Sequence, residues 1–156
     1  MEIKLISLIQ DIYNFKVENF PEKRRHAIRL ANLLAALSIV ITTAYSLFYL
    51  IVLQSVKAAL VNECFALIYP LYFYFLSKHK LVPAMLSIAF PFLGNLFYIV
   101  VFYASSKSGF QFYYLLAGTT IYYLFRTEPA IYKVSLTIIA FFLFVLCSRS
   151  DQRPER

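Results

Sequence analysis

Residues Leu30–Val56 read LANLLAALSIVITTAYSLFYLIVLQSV and carry no formal charge. A helix rises about 1.5 Å per residue, so this run reaches about 40 Å, more than the roughly 30 Å hydrocarbon core of a bilayer. Immediately before it stand Lys23, Arg24, Arg25, His26 and Arg29. A long apolar run with a basic flank predicts a transmembrane helix and indicates which end stays in the cytoplasm.

Composition agrees. Of 156 residues, 61% are hydrophobic and 15% charged, against roughly 45–50% and about 25% in soluble domains. A soluble core of this size has no room for so much apolar surface, so most of it must face lipid or other spans, in one membrane domain. The net charge of +7 would point to nucleic acid in a soluble protein. Here the basic residues sit beside apolar spans, where topology and anionic headgroups account for them, and no nucleic-acid-binding motif is present. Cys64 and Cys147 lie in apolar runs and read as small buried hydrophobes, not as a disulfide framework. The first apolar run begins too late and runs too long for a cleaved signal peptide.

The expected fold is all-α: a polytopic transmembrane helical bundle of five spans, preceded by an N-terminal amphipathic helix. Residues 1–22 form the cytoplasmic helix. Leu5, Leu8, Ile9 and Ile12 fall on one stripe, Lys4, Ser7, Asp11, Asn14 and Glu18 on another, which suits a helix lying in the headgroup plane or docked on loops or a partner. Pro21 ends it, and residues 22–29 form a link. The bundle, 23–148, has spans at about 30–56, 58–77, 81–106, 110–125 and 130–148, joined by turns near Lys57, Lys78-His79-Lys80, Lys107-Ser108-Gly109 and 126–129. Residues 149–156 are a polar tail. Pro91 is expected to kink the third span, with Gly94 and Asn95 within a turn of it. Gly118 is a candidate close-packing position in the fourth span, and Lys133 is placed to snorkel to the interface.

Charge sets the orientation. With the N-terminus cytoplasmic, Lys4, Lys16, Lys23, Arg24, Arg25, Arg29, Lys78, Lys80, Arg126 and Lys133 fall inside, while Lys57 and Lys107 fall outside. The tail, with Arg149, Arg153 and Arg156, runs against this count: either it is translocated, or the fifth segment does not fully cross. Tyr69, Tyr72 and Tyr74, just before the Lys78 turn, read as interfacial anchors.

Catalytic signatures are absent: no glycine-rich dinucleotide or phosphate loop, no HExxH, CxxC or GxSxG. His26 and His79, without a carboxylate cluster, make no metal site. No cofactor is expected. Glu63 is the one ionisable residue clear of both ends of a span, about 8 Å of helix from the outer end of span two. One acid is too little for a proton relay. It either faces headgroup water or pairs with Lys107, which ends span three on the same side; such a pair would be a sensing position.

Three pieces carry a resemblance: Arg29-Leu30-Ala31-Asn32-Leu33-Leu34-Ala35 opening the first span, Gly94-Asn95-Leu96 in the third, and Ser106-Lys107-Ser108-Gly109 before an aromatic span that ends at Arg126-Thr127-Glu128-Pro129. Over residues 20–148 the arrangement resembles the N-terminal transmembrane module of bacterial class III adenylate cyclases and of related sensor histidine kinases. Asn32, Pro91, Gly94, Asn95 and Gly118 are candidate packing positions, and the resemblance implies pairing into a homo-oligomer and a signal passed along the helices to a cytoplasmic cyclase or kinase effector. Two features depart from the family: the acid of its outer turn is missing at 107–109, and its sixth span and catalytic domain are not in this sequence. The expected protein is therefore a sensor or regulatory module of the bacterial inner membrane that is not itself an enzyme. A small transporter or permease subunit, or an assembly protein packing in a larger complex, are the alternatives.

Overall fold

The computed structural model describes residues 2–102 and 112–149, with side chains from Lys4. All regular structure among them is helical: α1 (Glu2–Asn14), a 3-10 turn (Val17–Asn19), α2 (Glu22–Ile51), α3 (Val56–Ala66), α4 (Pro70–Ser77), α5 (Leu81–Phe102), α6 (Tyr113–Leu124) and α7 (Ala130–Arg149). Four stretches are long and apolar enough to cross a membrane: Glu22–Ile51, Val56–Ser77, Leu81–Val101 and Ala130–Arg149. The chain forms two compact units, Met1–Pro91 and Phe92–Arg156, divided inside α5.

In the first unit α2 starts at Glu22, so the expected link 22–29 is helical. Pro21 fixes φ near −55° at the N-cap, and the Arg24 amide donates to the Pro21 carbonyl at 2.9 Å; Glu, Lys, Arg and Ala after it are strong helix formers. The far end of α2 is also earlier than expected. Residues 52–55 form the connection, and Lys57, expected in that turn, lies in the first turn of α3. Ser55 caps α3 by accepting from the Ala58 amide at 3.3 Å. Gln54 turns the chain with φ of 49°.

The second apolar stretch is not one uninterrupted helix. It breaks at residues 67–69, and Pro70 opens α4. Pro70 has no amide to continue the ladder, and i→i−3 bonds bridge the break, from the amide of Ile68 to Phe65 and from Leu71 to Ile68. α4 ends in the expected 78–80 turn, a Schellman pair in which Lys80 donates to Phe75 and His79 to Leu76. His79 takes the left-handed position, with φ of 58°.

α1 is shorter than the expected 1–20 helix. Lys16 is left-handed, with φ of 54°, and the chain turns so that Val17 and Phe20 bury, at 1% and 7% exposure. Burial of two apolar side chains outweighs continuing a polar stripe through Glu18.

In the second unit α6 and α7 pack antiparallel across the 125–129 turn. Tyr114, Ala117, Gly118, Ile121 and Leu124 of α6 bury, as do Leu136, Ala140 and Cys147 of α7. The described part of α6 has 12 residues, short of the roughly 20 that a span needs.

Candidate functional site

Inside the first unit a seam of small, aromatic and polar residues joins α2 to α3 and α4, while the outer faces of these helices are apolar. On α2, Leu37, Val40, Ile41, Leu47, Leu50 and Ile51 are exposed, whereas Asn32, Thr42, Ser46 and Tyr49 are buried. With Ile28 and Ala35 these buried positions recur at intervals of three, four and seven residues, so they form one stripe facing α3 and α4. The facing stripe holds Ala58, Ala59, Asn62, Ala66, Tyr69, Tyr72 and Leu76. Small residues let the backbones approach, and polar ones hydrogen-bond across, which is how helices associate where lipid removes the hydrophobic driving force.

Two hydrogen-bonded nodes hold this seam. At the first, Asn62 Nδ2 donates to the Thr42 carbonyl at 2.6 Å and to Ser46 Oγ at 2.8 Å. Ser46 Oγ donates in turn to the Thr42 carbonyl at 3.2 Å. Asn62 Oδ1 is buried without a partner. Close by, the buried Tyr69 hydroxyl faces the side chains of Thr42 and Ser38.

The second node is centred on Asn32. Its Nδ2 donates to the carbonyls of Tyr13 at 3.1 Å and Phe15 at 3.0 Å. These carbonyls lie at the C-terminal end of α1, which has no helical partners for them. Its Oδ1 accepts from the Tyr72 hydroxyl at 2.7 Å, and that hydroxyl lies 3.3 Å from the Ile28 carbonyl. One fully buried amide thus joins α1, α2 and α4. Above it, Phe15 meets Phe73 edge-on with centroids 5.5 Å apart. Asp11 and Ile12 of α1, Phe15 just after it, Ala36 and Ile39 of α2, and Phe73 of α4 line an apolar groove of about 420 Å³.

Asn32, read from the sequence as a packing residue, is therefore the centre of a node. Tyr69 and Tyr72, read as interfacial anchors, are instead buried at 1% and 0% exposure; the Tyr72 hydroxyl finds its partner inside the seam. Tyr74 is exposed at 56%, with Lys78 Nζ 6.0 Å from its ring centroid. Cys64, expected buried, is exposed, whereas Cys147 is buried with Sγ 3.9 Å from the Tyr114 hydroxyl. Pro91 is buried inside α5, and Asn95 is half-buried with no partner for Oδ1. Gly118 is buried against α7, yet a Cβ there would lie 3.8 Å from Ala140 Cβ and 3.9 Å from Thr137 Cγ2, ordinary contact distances. Lys133 Nζ donates to the Arg126 carbonyl at 3.2 Å and stands over the Tyr122 ring. Glu63 is half-buried on α3, turned about 100° from the seam by its place after Asn62. Lys107, its expected partner, lies outside the described residues, as do the 107–109 turn and residues 150–156 of the tail. No group of three metal-ligating side chains occurs among the described residues.

The node at Asn62 escaped the sequence reading, although a signal was present. Ser38, Thr42 and Ser46 repeat every four residues within a charge-free run, and only one face of a helix presents that spacing.

No family model, curated protein or solved structure matches the chain.

Proposed function

We propose that this protein is a non-catalytic regulatory module of the cell membrane, which couples a transmembrane bundle to the N-terminal helix α1. The observation that carries this reading is the Asn32 node. Tyr72 within the second apolar stretch and the C-terminal carbonyls of α1 bond to the same amide. A shift of α4 against α2 changes the partners that hold α1.

In this reading the amphipathic α1 lies at the cytoplasmic face, with exposed Leu5, Leu8 and Ile9 against lipid or an effector. The N-terminus is cytoplasmic by the distribution of Lys and Arg, and α6 belongs to a fifth span in addition to the four long apolar stretches. A homo-oligomer and a cytoplasmic effector, a cyclase or kinase by the resemblance above, are the partners.

The test places a nitroxide on Ser7, in exposed α1, in a background without Cys64 and Cys147, reconstituted in nanodiscs. Tyr72→Phe is expected to raise label mobility although it lies in another helix. Unchanged mobility overturns the coupling. Saturable solute flux in proteoliposomes would overturn the regulatory reading in favour of transport.

A further inference from the structure

We propose that Arg25 and Arg29 form a binding site for the phosphate of an anionic glycerophospholipid, a reading that rests on the membrane placement above. The two residues are one turn apart on the face of α2 that meets α1 and the 3-10 turn, so their Cβ atoms are about 6 Å apart. Each guanidinium is held in place by one protein contact. Arg25 Nε donates to the Phe20 carbonyl at 3.1 Å, and Arg29 stands over the Tyr13 ring at 5.5 Å from its centroid. Both side chains are half-buried. Arg29 Nε is shielded from solvent and has no acceptor. That nitrogen is closed to an outside ligand as well, so a ligand meets the two guanidiniums through their terminal N–H groups.

Depth and chemistry select that acceptor. Helix α2, with 30 residues, is about 45 Å long, roughly 15 Å more than the hydrocarbon core. Arg29 is the last charge before the run that begins at Leu30, which puts it at the level of the lipid phosphates. Two guanidiniums immobilised by packing offer paired N–H donors to tetrahedral oxygens, which Lys cannot match. Lys23 stands nearby on α2 as an exposed charge, and Glu18 and Glu22, the neighbouring acids, are also exposed; their charges are screened by solvent and counterions.

The test uses the full-length protein in neutral detergent, with native mass spectrometry counting phosphatidylglycerol and phosphatidylcholine adducts. The wild type is expected to retain one phosphatidylglycerol that Arg29→Gln binds on the order of tenfold more weakly, with phosphatidylcholine unaffected. Arg29→Lys, which keeps the charge, is expected to weaken binding as well, and Lys23→Gln to leave it intact. Equal losses in Lys23→Gln and Arg29→Gln, or wild-type binding by Arg29→Lys, would overturn the site by reducing it to general surface charge. Displacement of the lipid by millimolar inorganic phosphate would overturn the lipid as the source. Helicity by circular dichroism establishes that each variant folds. Lipid retention is measured apart from Ser7 mobility, so failure of the coupling and failure of this site are separate results.

Discussion

Removing the hydrogen bond between Tyr72 and Asn32 from both sides at once should cost less than the two single removals added together. Tyr72→Phe deletes the 2.7 Å bond and strands Asn32 Oδ1 in a fully buried position. A stranded buried acceptor costs about 1–3 kcal/mol. Asn32→Ala deletes three contacts, the bond from Tyr72 and the two to the Tyr13 and Phe15 carbonyls. At about 0.5–1.5 kcal/mol each it should cost roughly 2–4 kcal/mol. In the double variant no acceptor is left stranded at Asn32, so the total should fall short of the sum by about 1–2 kcal/mol. Interhelical bonds in bilayers average about 0.6 kcal/mol with a maximum near 1.7, which puts the expected coupling at the upper end of that range. The assay is reversible unfolding in mixed micelles with increasing sodium dodecyl sulfate, followed by circular dichroism at 222 nm for the four proteins of the cycle. Additivity within about 0.3–0.5 kcal/mol would refute the node as an energetic unit.

Asn62→Leu removes the donor to Thr42 and Ser46 but also the buried orphan Oδ1, so the same unfolding assay should show a change within about 1 kcal/mol, whereas Asn62→Asp, which buries a charge, should destabilise by several. Gly118→Ala should stabilise α6 by up to about 1 kcal/mol, because its Cβ meets only ordinary contacts and alanine is the better helix former; a lower midpoint would contradict that spacing. Gln54→Gly should stabilise the α2–α3 connection by about 1 kcal/mol, since φ there is 49° and glycine adopts that conformation without the Cβ clash.

Four long apolar stretches and the 78–80 turn were legible because each depends on a local run: α7 covers Ala130–Arg149 and α5 begins at Leu81, directly after the Lys78-His79-Lys80 turn. The limits of α1 and α2 were less so. A basic flank such as Lys23–Arg29 reads equally well as a link or as a helix reaching into the headgroups, and only packing decides. The polar seam was hidden for a different reason. Hydropathy averages over all faces of a helix, so Thr42, Ser46 and Asn62 vanish into their apolar neighbours. Tyrosine adds an ambiguity of its own: near the end of an apolar run it serves as a wet anchor or as a buried donor, and Tyr72 becomes the latter because Asn32 lies opposite.

The break at residues 67–69 gives the second apolar stretch a joint between its two fastenings. Asn62 latches the segment before it to Thr42 and Ser46, and Tyr72 latches the segment after it to Asn32. An unbroken rod would have to release both latches to swing either end. With the ladder already interrupted at Pro70, the α4 arm can unfasten from Asn32 while the α3 arm stays closed, so amide exchange in lipid should fall into two kinetic classes that meet at the joint.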